Sequence, residues 1–191
     1  MKIGMLIIST LIAQSCFAQV SNRAVMFGKE YSKEISLYKA KIFVIKEVLG
    51  SSNAPIKFEI DPLAAASSGE LTSLVYQCSV KNKEGMILGF YGSYWNDAGV
   101  IFQGYGFKDM PKEKALEVLN TIEKNITESK KYLSEDYENN NIYFQFDDIT
   151  FLVYAGIMGT TKIRVFWNNF DADWDFIAFK RTKKRLEKKL D

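Results

Sequence analysis

The sequence predicts an α+β domain: a largely antiparallel, twisted sheet of about six to eight strands, one long amphipathic helix packed on a face, and a basic C-terminal helix. Three observations carry this. Short β-branched and aromatic runs recur between clusters of turn residues, one stretch switches to a 3.6-residue apolar period, and the composition is that of a packed core. Hydrophobic residues make up 47% and aromatics 14% of 191 residues, with three prolines.

The first segment is not part of that domain. Lys2 leads into the apolar run Ile3 to Ile12, and small residues close it around Ala18. The run is too short to span a bilayer, which takes about 20 apolar residues, and it has the layout of a secretory signal. Residues 1–18 are therefore expected to be removed and the chain exported, to a periplasm or outside the cell. Cys16 offers the alternative of a lipid-anchored protein, although Ala13-Gln14-Ser15 fits such a processing site poorly. Residues 19–40 read as an arm without a clean period, and 41–191 as a single domain.

Within that domain, Ile42–Ile45 and Ile56–Ile60 read as strands, the second ended by Pro62, and residues 64–69 as a small-residue loop. Leu71–Val80, Met86–Trp95 and Val100–Phe107 read as an antiparallel meander. Its strands are apolar at both parities, with Leu88, Phe90 and Tyr94 opposing Ile87, Tyr91 and Trp95, so both faces are expected to be covered at least in part. Residues 111–133 carry the helical stripe Leu116, Leu119, Ile122, Ile126 and Leu133, with Asp109 placed as its cap. Strands then resume as Ile142–Phe146, Ile149–Ala155 and Thr161–Trp167, the first two joined by Asp147-Asp148. The end reads as a strand Trp174–Phe179 followed by a basic helix Lys180–Leu190, with one continuous helix as the alternative.

Absent residues shorten the list of chemistries. There is no histidine, and after signal removal Cys78 is the sole cysteine, so imidazole bases, histidine- or thiolate-bound zinc and an intrachain disulfide are excluded. Alternation places Cys78 with Leu74, Tyr76 and Val80, as a buried structural thiol. No cofactor is implied. Neither a nucleophile elbow nor a phosphate loop occurs, and Ser67-Ser68-Gly69 needs no chemistry to explain it.

Three features remain as candidates. Tyr91, Trp95 and Tyr105, on strands rich in glycine, are the residues nominated for ligand binding, because glycines make room for rings and one parity could present a flat aromatic platform. The plainer reading is that these rings fill a core. Asp171, Asp173 and Asp175 could converge on a hard cation such as calcium, although Phe176 and Thr182 stand where a calcium loop has glycine and a bidentate glutamate. Between residues 180 and 191, seven basic residues face Glu187 and Asp191, net +5, while the rest of the processed chain is net acidic. Such a run steers a domain onto an acidic surface or forms the solvated face of a helix; without interleaved aromatics it does not suggest nucleic acid.

The function expected from the sequence is an exported, non-enzymatic protein that binds a small ligand, a glycan or an envelope protein through an aromatic sheet face or a groove beside the helix. The alternatives are a glycan hydrolase using carboxylates, with Glu59, Asp61 and Glu70 the acids near strand ends, and an envelope-associated structural protein held by its basic tail.

Overall fold

One strand organises the molecule. In the computed structural model, which describes residues 37–190 apart from 96–97, 99–100, 138 and 157–158, strand β3 runs thirteen residues from Lys83 to Trp95. The chain divides after Tyr38, and the unit that follows, from Lys39, is the one considered below. The expected signal, its cleavage point and nearly all of the arm lie outside the described residues.

Along one edge β3 pairs with β4 (Ile101–Pro111), from Gly85↔Pro111 to Trp95↔Ile101. Along the other it pairs with β2 (Leu71–Cys78) as far as Leu71↔Phe90, then meets β8 (Phe170–Asp173) at Tyr94↔Phe170. Between those partners Gly92 takes φ +146, which side chains rarely adopt. The sheet is therefore two four-stranded antiparallel arrays: β1 (Glu59–Ala65), β2, β3 and β4 in one, and β5 (Asn141–Phe146), β6 (Ile149–Ala155), β7 (Thr161–Trp167) and β8 in the other. Their junction at Tyr94↔Phe170 makes one eight-stranded path.

Polar turn residues set the hairpins. Asn82, Asp147 and Asn168 sit at φ 48, 50 and 53, a left-handed conformation that asparagine and aspartate tolerate better than most side chains. The Asp147-Asp148 turn is also tethered: Lys114 holds Asp147 at 2.6 Å, and Lys108 and the Trp167 indole hold Asp148. The Lys108 contact comes first among the causes that keep the Asp148 carboxyl below its usual range.

Residues 112–135 form α1 (Lys112–Glu128) and α2 (Lys130–Glu135), and Phe176–Leu190 forms α3. Helices α1 and α3 bury Leu119, Ile122, Phe179 and Leu186 together with Val75, Met86, Leu88 and Phe90 from one array and Phe151, Val153, Ile163 and Val165 from the other. Helix α3 is fastened across β1 and β2 by polar contacts: Arg185 donates to the Leu63 carbonyl, Gln77 to the Lys189 carbonyl, and the buried hydroxyls of Ser73 and Thr182 meet at 2.6 Å. The opposite face of β2, β3 and β4 is covered too. There Phe43 packs on Phe107 at 5.6 Å and Lys83 donates to the Val48 carbonyl. Ile87 and Leu88, on opposite faces, are both fully buried, as the two apolar parities predict.

Several expectations are corrected. Residues 42–45 are not a strand: residues 39–43 are helical and run into a π-type turn, Val44–Leu49. Ala40, Val44, Val48 and Leu49 are buried and Lys41, Ile45, Lys46 and Glu47 are exposed, a helical spacing that a run of four β-branched and aromatic residues masks. Strand β1 starts three residues later than Ile56 and continues through Pro62. The proline is tolerated because β1 is an edge strand and its register shifts between Pro62 and Ala64. Strand β2 stops at Cys78, leaving Val80 73% exposed; the Cys78 thiol is free, buried and directed at the Lys57 carbonyl. The long helix breaks at Ser129, whose φ −94 and ψ 5 leave the α region, and Pro111 rather than Asp109 occupies its N-cap, without a side-chain cap. At the C-terminus strand and helix are separate, but the strand is Phe170–Asp173, because the Asn168 turn starts it early, and Phe176–Phe179, expected in the strand, form the first turn of α3, which starts at Phe176 rather than Lys180.

Instead of capping, Asp109 lies on the covered face with Tyr76. Its Oδ1 is buried without a hydrogen-bond partner. Burial, opposed by the Tyr76 hydroxyl bond and the Lys83 charge, raises its pKa, and burial with the Asp109 charge raises that of Tyr76. The folded state thus binds this proton more tightly than the unfolded chain does. A stabilising contribution present at low pH is lost as pH rises through the raised value. Asp109→Asn, which keeps an acceptor for Tyr76, is expected to melt higher than the parent at pH 7, with the gap closing on acidification to the ordinary carboxyl range near about 4. Thermal melts across pH 3–8 check this; parallel profiles would mean the carboxylate is not the cause.

Candidate functional site

The nominated aromatic residues are only partly brought into view. Tyr91 and Tyr105 are direct partners in the β3–β4 register and so share a face. Tyr105 is 44% exposed, with the Lys39 ammonium 5.4 Å from its ring centre and Phe107 at 5.8 Å, while Tyr91 is half-buried. Trp95 has the same parity and pairs with Ile101 through its backbone; its side chain lies outside the described residues. Glycines do make room for rings here: a Cβ on Gly106 would lie 2.9 Å from both Phe170 and Trp167, and one on Gly89 3.1 Å from Phe107.

The three aspartates go to different partners. Asp171 takes Arg164 in a two-point contact, Nε to Oδ1 and Nη2 to Oδ2, each 2.7 Å. Asp173, two residues along β8, has its pKa raised by burial, and its backbone N–H donates to Glu70 at 2.8 Å. Asp175 caps α3 by accepting from the Ala178 N–H, and it also accepts from the Ser67 N–H and hydroxyl. Partial burial works against its ionisation, but those hydrogen bonds outweigh it and its pKa is lowered. Among the described residues, no group of three or more such side chains is placed to hold a metal ion.

The acids named for hydrolysis are also engaged separately. Asp61 pairs with Lys189 on α3, Glu70 is the acceptor for Asp173, and Glu59 is exposed at the start of β1. Ser67 does touch a carboxylate, but one whose pKa is lowered makes a poor base for a hydroxyl.

A groove beside the helix was expected without any residues assigned to it, and the structure has one of about 840 Å³ beside the helices. Its apolar lining comes from Ile126 and Leu133 on α1 and α2, Ala155 on β6, and Phe176 and Ile177 on α3. Lys130, Lys162 and Lys180 stand around it, and Ser67, Thr127 and Thr161 add hydroxyls; Asp175 is its only acid among the described residues. Lys180 is held by Glu123 and lies 5.5 Å from the centre of the Phe176 ring. Neither Lys130 nor Lys162 forms an ion pair among the described residues, although the Lys162 charge acts on Asp173, opposing the rise that burial gives its pKa. The break at Ser129 shapes the site, because it starts a new helix at Lys130 and sets Leu133 beside the mouth.

Comparison with known proteins gives this arrangement no counterpart: no family model matches the chain, and neither a curated protein nor a solved structure matches it significantly.

Proposed function

We propose that the chain is an exported binding protein, without catalysis of its own, that takes a ligand with an apolar body and an anionic head into the groove between α1–α2, the β6–β7 hairpin and the first turn of α3. The observation that carries this reading is the lining itself, apolar along Ile126, Leu133, Ala155 and Phe176 and flanked by Lys130 and Lys162. About 300–1,000 Å³ is the usual size for a small-molecule site, and a mostly apolar wall with a few convergent polar groups is the usual composition. A glycan hydrolase needs two carboxyls facing one cleft, whereas Asp175 alone lines this one among the described residues, and it is spent on capping α3. Export rests on the Lys2, Ile3–Ile12 and Ala18 pattern.

Calorimetric titration with dodecanoate tests the proposal. Binding is expected for the parent, and Lys130→Glu combined with Lys162→Glu is expected to weaken it by about a hundredfold or more, since each removed charge-assisted contact is worth roughly 1.5–3 kcal/mol. Absence of binding, or equal affinity in the double variant, would overturn it. A second reading, partner docking at the Tyr91–Tyr105 pair, is favoured by the exposure of Tyr105, and partner capture would then survive the double variant unchanged.

A further inference from the structure

The basic residues of α3 fall into two classes that the sequence does not separate. Lys180 and Lys183 are neutralised by Glu123, Lys183 also by Glu187, and Lys189 by Asp61; Arg185 is turned onto the Leu63 carbonyl. Arg181, Lys184 and Lys188 are exposed and make no ion pair among the described residues. Together with Ile177, which is 64% exposed, they are spaced 4, 3 and 4 residues apart. At 3.6 residues per turn, that places all four within about 60° of the helix circumference, along roughly 17 Å. The buried residues Phe179, Thr182, Leu186 and Leu190 occupy the other side. Glu187 stands off the stripe and is held by Lys183. The helix therefore projects one row of unopposed cations, led by an apolar side chain at the mouth of the groove.

We propose that this row docks the protein on an anionic lipid bilayer, with Ile177 and the groove mouth towards the surface. Charge complementarity selects the partner. Basic side chains near an anionic leaflet each contribute about fivefold to affinity and act additively over a flat surface, which a straight row can meet all at once. A polyanion that wraps the protein would meet the net acidic remainder of the processed chain, and no aromatic interleaves the row for base stacking. No helix of the described residues is long and apolar enough to cross a membrane, so this is contact with the surface.

Co-sedimentation of the purified protein with vesicles tests it, using phosphatidylcholine alone and phosphatidylcholine mixed with phosphatidylglycerol. Binding is expected only to the mixed vesicles and is expected to fall as salt is raised. Arg181→Gln, Lys184→Gln and Lys188→Gln together should lower the affinity by about a hundredfold, and each alone by about fivefold. These substitutions keep helix propensity and leave the buried face alone, so melting should not change. Lys124→Gln with Lys131→Gln, two exposed lysines each with an acid one turn on, should leave binding intact. Equal binding to both vesicle types, an unaffected triple variant, or retention on duplex DNA without binding to vesicles would each overturn the proposal. Because the probe is a vesicle and these substitutions lie outside the groove lysines, failure here is distinct from failure of dodecanoate binding.

Discussion

Trp174→Ala is expected to lower stability by about 3–5 kcal/mol, the range for deleting a large buried aromatic. The side chain is 1% exposed and meets the Phe179 ring edge-on at 5.4 Å. Its backbone N–H donates to the Ile163 carbonyl, so it stands where β8 hands over to α3 and packs in the core that both arrays line. A cavity there cannot close without moving either element. For a chain of this size the cost corresponds to a fall in Tm of roughly 10 °C, and chemical denaturation should move the midpoint without changing the slope. A loss below about 1 kcal/mol would mean that the indole is not packed as described.

Gly85→Ala should be comparably severe, about 3 kcal/mol or more, the upper end for overpacking. Gly85 pairs with Pro111, and a Cβ there would overlap the Met110 carbonyl oxygen and lie 2.8 Å from the Tyr76 hydroxyl. The obstacle is backbone, which cannot rotate away as a side-chain tip can, so relief requires breaking the β3–β4 ladder. Gly69→Ala is the matched control: its φ is +78 but nothing lies within 4 Å, leaving only the left-handed backbone cost of about 1–2 kcal/mol. Denaturant midpoints of the two variants should therefore separate; since Gly85 has no left-handed φ, a loss for Gly85→Ala no larger than that for Gly69→Ala would mean that the contact with Met110 is relieved locally.

The elements legible in the sequence were those whose period and boundaries are local. Ile149–Ala155 and Thr161–Trp167 have the predicted ends because alternation runs cleanly between turn residues. Of the stripe Leu116, Leu119, Ile122, Ile126 and Leu133, the last four are buried as the spacing implies and Leu116 is partly buried at its margin. Misreadings arose where a short run fits two periods, as at Ile42–Ile45, or where context overrides a local rule, as with Pro62 on an edge strand and Asp109 turned onto Tyr76. A groove beside the helix was anticipated, but its lining residues were illegible for another reason. Lys130, Lys162 and Phe176 lie on three elements with no shared spacing, and only the break at Ser129 and the packing of α3 bring them together. Likewise, seven basic residues in a row look equivalent until Glu123, Asp61 and the Leu63 carbonyl claim four of them.

The position of α3 also bears on when the molecule can fold. It is synthesised after every strand it covers, yet Asp175 binds Ser67, Arg185 reaches Leu63 and Leu186 lies in the common core. These contacts close loops of more than a hundred residues, the kind of long-range pairing that slows folding. Until Phe176–Leu190 has emerged, α1 covers that side of the sheet without the Phe179, Leu186 and Leu190 side chains that complete the core. For the export proposed above, that delay is an asset: a transport channel that threads extended polypeptide would receive the chain before its native state is within reach.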